Sequence, residues 1–264
     1  YVASTWDNFE QALEAAKAVL DLDDATQAEI EAAEENLQKA MEALLSKTGW
    51  QVINGQKYYY GEDGTKKTGW QEIDGKKYYF GEENDGAMKT YWQQINGKWY
   101  FFGNDGVMRT YWQKIWGKWY FLGNASDGAM KTGWQKIWGK WYYLGSENDG
   151  AMKTGWQQVY GKWYYLGSAE DGSMKTYWQQ INGKWYFFGG ADDGAMKTGW
   201  QKIWGKWYYL GSANDGAMKT GWQKINGKWY YFGGEQDGSM KSNVWVGDYY
   251  LDNSGVWSKT KKSK

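Results

Sequence analysis

The sequence predicts a mainly β protein, a solenoid of stacked β-hairpin repeats preceded by a small α-helical hairpin. Three observations carry this. A tryptophan recurs every 20 or 22 residues from Trp50 to Trp222. Each recurrence opens a short aromatic run with a turn signal at its centre. Residues 1–47 lack that pattern and place apolar side chains at helical spacing instead.

In the first zone Phe9, Leu13, Ala16 and Leu20 fall on one helical face, and Ile30, Ala33, Leu37, Met41 and Leu44 repeat the spacing. Thr26 followed by Glu29 matches a capping box and starts the second helix near Gln27, with Asp21–Asp24 as the turn between the two helices. Two short helices bury little alone, so this pair is expected to need a further packing partner. Residues 1–47 hold eleven Asp/Glu against three Lys, net −8, and the remainder of the 264 residues is net +8, so a formal charge of zero conceals two modules. The run from Phe9 to Leu44 resembles the FIVAR family of small helical domains. That resemblance implies a spacer, residues 1–47, in an extracellular bacterial protein.

Residues 48–258 read as about ten repeats, the first two and the last degenerate, before a basic tail at 259–264 expected to be disordered. The anchors are Trp50, Trp70, Trp92, Trp112, Trp134, Trp156, Trp178, Trp200 and Trp222. Within a unit such as WQQINGKWYFF, Asn96-Gly97 is the favoured two-residue turn, because both positions tolerate positive φ. Alternation then puts Trp92, Gln94, Trp99 and Phe101 on one face, and Gln93, Ile95, Tyr100 and Phe102 on the other. Ile95, Tyr100 and Phe102 are the expected apolar spine. Trp116, Trp138, Tyr160 and Trp204 stand where other units have the turn Asn, so those turns must differ in type or be strained. Tyr91, Tyr111 and Tyr177 likewise replace a Gly.

Composition excludes much chemistry. The chain has no Cys, Pro or His, which removes disulfides, thiol nucleophiles, His-based acid–base pairs and ordinary zinc sites. No apolar run approaches the roughly 18 residues of a membrane span. A net +8 spread over many turns is too mild for a nucleic-acid binder. The chain begins at Tyr1 rather than Met, as expected of an excised fragment. Asp149, Asp171 and Asp193 each precede a turn Gly and read as turn formers rather than catalytic groups. Calcium at Asp192-Asp193 would lack a full ligand set. No cofactor or metal is expected, and no enzyme. What the composition does offer is 22 Trp, fourteen of them paired on one face of seven repeats. That is more flat π surface than packing needs, and it suits a cation or a sugar.

Segments such as GWQKIWGKWYYLGSENDGAMKTGW closely resemble the choline-binding repeats of bacterial surface proteins and lysins, over about 80% of the chain. The resemblance implies choline-binding-type hairpins that hold choline between them, and a secreted protein on the bacterial cell wall. Its partners would be choline or phosphocholine on wall polymers, by cation–π contact. Carried onto this chain, it implies boxes of Trp92, Trp99, Phe121 and Met108; Trp112, Trp119, Tyr143 and Met130; and Trp134, Trp141, Tyr165 and Met152. Further boxes are Trp156, Trp163, Phe187 and Met174; Trp178, Trp185, Tyr209 and Met196; and Trp200, Trp207, Tyr231 and Met218. The last is Trp222, Trp229, Tyr250 and Met240. Lys57 and Lys77 replace the second Trp in the first two units, which there look more like glucan-binding repeats, and a lysine would repel a cation. The alternative is a carbohydrate-binding module for an α-glucan or another bacterial polysaccharide, with Gln93, Gln94 and Asn96 as hydrogen-bonding groups. A third reading makes the array a pure spacer.

Overall fold

The computed structural model describes residues 3–44 and 48–261. Helices α1 (Ala3–Leu20) and α2 (Gln27–Glu42) form the N-terminal hairpin. The Thr26 side chain accepts from the Glu29 amide while Glu29 Oε2 accepts from the Thr26 amide at 2.9 Å, which fixes the start of α2. Phe9, Leu13, Ala16, Ala33, Leu37 and Leu44 are half-buried, but Leu20 is 76% exposed and Val19 is turned inward in its place. Ile30 and Met41 are exposed too, and no side chain of α2 is buried. The helical face thus shifts by about one residue at the end of α1, and the pair lacks a closed core.

After the helices come, among the described residues, nine two-stranded antiparallel sheets and a final three-stranded one. The strands that position the site are β3 (Gly69–Ile73) and β4 (Lys76–Phe80), β5 (Tyr91–Ile95) and β6 (Lys98–Phe102), and β11 (Gly155–Val159) and β12 (Lys162–Leu166). With them go β13 (Tyr177–Ile181) and β14 (Lys184–Phe188), β15 (Gly199–Ile203) and β16 (Lys206–Leu210), and β19 to β21 (Val244–Val246, Tyr249–Leu251, Trp257–Thr260). Trp92 pairs with Phe101 and Gln94 with Trp99, the register that the turn and the alternation require. Lys259 and Thr260, expected in a disordered tail, instead pair with Tyr250 and Tyr249 as the last strand. Cross-strand pairing to an aromatic strand overrides their polar composition. Residues 262–264 lie outside the described residues.

The chain divides into two compact units, residues 1–113 with 122–130, and 114–121 with 131–264. In the first, Ile95, Phe102 and Met108 form a buried cluster against Tyr79 and Tyr100. In the second, Ile203, Tyr208 and Leu210 pack on Trp178 and Phe187 of the preceding hairpin. The core is therefore a series of small interfaces, each between the back face of one hairpin and the tryptophan face of the one before it. A lone hairpin buries too little to stand, so each depends on its neighbour.

The linkers lock the spacing. Asp193 and Gly194 donate their amides to Gly190 O at 3.0 Å each, closing a turn. The Met196 amide then donates to Trp163 O, two hairpins back along the chain from the linker's end, at 2.7 Å. The Met174, Met218 and Met240 amides do the same to Trp141, Trp185 and Trp207. The sulfurs of Met174, Met196 and Met218 lie against Gly194, Gly216 and Gly238 of the following linkers. A Cβ on Gly216 would lie 2.2 Å from Met196 Sδ, and Gly216 has φ +62°. Glycine is required there on both counts.

The turns of the nine two-stranded hairpins keep one geometry. Asn96 and Gly97 have φ 49° and 77°, and Trp116 and Gly117 have 48° and 82°. The bulky residues therefore adopt the left-handed conformation instead of changing the turn type, at a cost of about 1–2 kcal/mol each.

Candidate functional site

Alternation along each strand brings two indoles to one face. In β11–β12, Trp156 and Trp163 lie with ring centroids 6.3 Å apart and planes at 83°, a perpendicular corner. The same corner recurs at Trp134/Trp141 (6.5 Å, 84°), Trp178/Trp185 (6.4 Å, 84°), Trp200/Trp207 (6.3 Å, 84°) and Trp92/Trp99 (6.4 Å, 84°). A tyrosine from the next hairpin closes it: Tyr186 stands 4.9 Å from Trp156, Tyr164 4.8 Å from Trp134, Tyr208 5.0 Å from Trp178 and Tyr230 4.8 Å from Trp200. Trp156, Trp163, Tyr186 and Met196 line a cavity of about 350 Å³, with Asn214 and Asp215 at its edge. Trp200, Trp207, Tyr230 and Met240 line another of about 220 Å³.

The closing ring is thus one residue earlier than the sequence reading placed it. Tyr165, Phe187, Tyr209 and Tyr231 are the cross-strand partners of Trp156, Trp178, Trp200 and Trp222 in their own hairpins. Tyr143 likewise packs 5.2 Å from Trp134 of its own hairpin. Strand alternation explains this, since a residue beside the second Trp faces the other way and meets the preceding hairpin. Phe121 packs 6.3 Å from Trp138. The methionines move by one repeat as well: Met130 bonds Trp99 O, Met152 bonds Trp119 O, and Met108 bonds Lys77 O. At the end of the array Trp222 and Trp229 are closed by Tyr249 and Trp257 around about 260 Å³, while Tyr250 packs on Trp245.

Rim charges complete the geometry. Glu170 accepts from Lys114 Nζ at 2.9 Å and from the Trp119 indole N–H at 3.3 Å. Asp192 accepts from Lys136 Nζ at 2.9 Å and from the Trp141 indole at 3.1 Å. Hydrogen bonds from Lys114 and Trp119 hold Glu170 below the usual carboxylate range, and those from Trp141 and Lys136 do the same for Asp192. Sequence reasoning missed these pairs. The available signal was a constant offset of 56 residues joining Lys114 to Glu170 and Lys136 to Asp192, while Gln158 and Asn214 at that offset are both uncharged. In the box of Trp178, the Trp185 indole N–H is buried without a partner.

Burial raises the pKa of the closing tyrosines Tyr164, Tyr186 and Tyr208, and nearby Asp193, Asp215 and Asp237 raise it further. These rings stay neutral phenols at physiological pH; the Lys114, Lys136 and Lys224 ammoniums lie 5.6, 5.7 and 6.0 Å from the ring centroids of Trp119, Trp141 and Trp229, whereas uncharged Gln158 and Gln180 stand opposite Trp163 and Trp185. The polar side chains considered for sugar recognition are partly committed, since Gln93 Nε2 donates to Thr90 O at 2.8 Å. Lys77 takes the second-Trp position in β3–β4, and its ammonium donates to Ser126 O at 3.1 Å beside a cavity of about 430 Å³.

Comparison with known proteins agrees with this architecture. The solved structure of choline binding protein F from Streptococcus pneumoniae is 33% identical over 80% of this chain and 92% of that one, with a TM-score of 0.59. The same protein solved with a peptidoglycan analogue gives the same values: 33%, 80% and 92%, and 0.59. The choline-binding domain of CbpL from the same organism is 33% identical over 74% of this chain and 100% of that one, with a TM-score of 0.50. No curated protein matches the chain. Residues 1–45 match the FIVAR domain. Choline-binding repeats match at 47–92, 89–132, 131–177, 175–220 and 197–245, and the chain belongs to the choline-binding repeat family.

Proposed function

We propose that the hairpin array is a noncatalytic anchoring module that holds choline or phosphocholine groups of wall polymers at the bacterial cell surface. The observation that carries this reading is the perpendicular Trp pair closed by a tyrosine 4.8–5.0 Å from its first indole, repeated along the array. Three electron-rich faces around a small apolar space attract a trimethylammonium group electrostatically and spare it a strong hydration shell. The ligand-contacting residues are the Trp pairs with Tyr164, Tyr186, Tyr208, Tyr230 and, at the end, Tyr249 and Trp257. Met196 and Met240 supply soft apolar walls. Several weak sites on one polymer give avidity beyond any single site. The FIVAR-like segment serves as a spacer.

Titration with choline, followed by indole fluorescence and calorimetry, tests the reading. A saturable response with several equivalents per chain is expected. A folded protein that gives no response in either measurement would refute it.

A further inference from the structure

We propose that the last two boxes, Trp200/Trp207 and Trp222/Trp229, select choline that carries a phosphate, with Lys202 and Lys224 as the residues that meet the phosphate. The inference deepens the choline reading above and rests on it. All the residues it uses belong to the second compact unit. Strand register places one side chain opposite the second indole of each hairpin. It is Gln158 at Trp163 and Gln180 at Trp185, but a lysine at Trp141, Trp207 and Trp229. Lys136, opposite Trp141, is committed, because Asp192 accepts from its ammonium at 2.9 Å. Among the described residues no carboxylate pairs with Lys202 or Lys224.

The acids leave the walls at the same place. Asp215 lines the cavity of Trp156 and Trp163, and Lys219 pairs with it at 2.5 Å. Ser254, which like Asp215 directly precedes a linker glycine, lines the cavity of Trp200 and Trp207 instead. The cavity of Trp222 and Trp229 is walled by rings alone, Tyr249 and Trp257 being the other two. Asp252, two residues before Ser254, spends its Oδ1 on the amides of Ser254 at 2.8 Å and Val256 at 3.0 Å. An ammonium without a counter-charge thus stands beside each of the two boxes whose walls hold no acid. Lys224 Nζ lies 6.0 Å from the Trp229 ring centroid.

Such an ammonium opposes a bare trimethylammonium group and serves the box only if the ligand brings a negative charge of its own. Phosphocholine does. Its phosphate follows the trimethylammonium after a two-carbon link and an oxygen, so a cation seated among the rings leaves an anion at the mouth. There a lysine offers three donors on a long flexible stem. The mouths are open enough for it: Trp207 and Trp229 are 42% and 38% exposed, whereas Trp141, Trp163 and Trp185 are half-buried. At Trp141 the same lysine is neutralised, and the Asp192 carboxylate beside the indole N–H disfavours a phosphate. The boxes therefore fall into two kinds, those that read the cation alone and a last pair that reads the zwitterion.

Calorimetric titration of the full chain with choline and with phosphocholine tests this, at about pH 8, well above the second phosphate pKa of about 6. About two sites per chain should prefer phosphocholine by about two- to fivefold at low salt, the range of an exposed charge pair, and the preference should fade in about 0.5 M salt. K202Q/K224Q, which carries the residue already used beside Trp163 and Trp185, should lose the preference while its affinity for choline does not fall. D192N, which unties Lys136, should gain the preference at one further site. A wild type that binds both ligands alike, a preference that survives K202Q/K224Q, or a D192N chain without the gain overturns the proposal, and saturable choline binding in the same runs leaves the anchoring function standing. No response to either ligand overturns both.

Discussion

Hairpins β3–β4 and β11–β12 share a frame and differ in one wall. In both, the methionine amide two hairpins on closes the backbone, Met108 to Lys77 O at 2.8 Å and Met196 to Trp163 O at 2.7 Å. In both, a tyrosine sits 4.9 Å from the anchor indole, Tyr100 on Trp70 and Tyr186 on Trp156. The second indole is present in one and replaced by an ammonium in the other. Stacking is therefore specified by backbone ties and the back face of the next hairpin, and ligand chemistry by a side chain that the frame does not need. The same backbone frame thus carries units with a complete Trp pair and units with a lysine in its place.

The largest expected effect breaks the frame itself. Gly216→Ala puts a Cβ 2.2 Å from Met196 Sδ at φ +62°, and should cost about 2–4 kcal/mol from strain and overpacking together. Gly86→Ala in the early repeat shares the positive φ but meets the chain of Lys66 at 2.8 Å, a flexible side chain that can swing aside. Urea melts of both variants should rank Gly216→Ala clearly below Gly86→Ala. Equal losses would mean that methionine packing adds nothing to backbone strain.

Next comes the wall. Trp163→Lys should remove one choline equivalent in calorimetry with the melting temperature nearly unchanged, since β3–β4 shows that the frame tolerates lysine there. The lost cation–π contact of a desolvated site is worth about 2 kcal/mol, or roughly 30-fold in that site's affinity. The converse, Lys77→Trp, should add one equivalent. Unfolding of Trp163→Lys, or no gain from Lys77→Trp, would show that frame and wall are not separable.

How much of this was legible in the sequence follows from the range of each signal. The register of Trp92 on Phe101 and the burial of Ile95 and Phe102 rest on a two-residue turn and period-two alternation, both local. The rings that close each box come from the next hairpin and the methionine from the linker beyond, contacts set by stacking that no single unit encodes. Alternation already puts Tyr186 opposite in face to Phe187, so the closing ring was readable, but family analogy pointed one residue further. The slip of Leu20 out of the helical face has a similar origin: with no closed core to enforce it, periodicity near a helix end decides little.

A smaller effect separates the strained turns from the relaxed ones. Trp204→Asn should raise stability by about 1 kcal/mol by relieving a left-handed conformation that Asn tolerates better. Asn226→Trp, in the next hairpin, should lower it by a similar amount. Opposite signs in thermal melts are expected; a loss in both would assign Trp204 a packing role that its 76% exposure does not suggest.

The subtlest contrast lies in the linker ion pairs. Asp237 is held below its ordinary value of 3.8 first by its hydrogen bond from Lys241, then by Ser239, against a burial penalty. Asp63 in the first repeat owes its lowering first to Thr65, with Lys67 a distant 3.9 Å away. A carboxylate with a lowered native pKa takes up a proton more readily in the unfolded chain. Its contribution is full above 3.8 and fades as pH falls through the native value. Both groups are well exposed, so solvent screening keeps the effect small. Lys241→Met should therefore melt below wild type near neutral pH, and the gap should close on acidification. Lys67→Met should show almost no gap at any pH, because the Thr65 hydrogen bond survives it. A gap for Lys241→Met that persists unchanged into acid would mean that the lysine acts through its aliphatic stem and not through the ion pair.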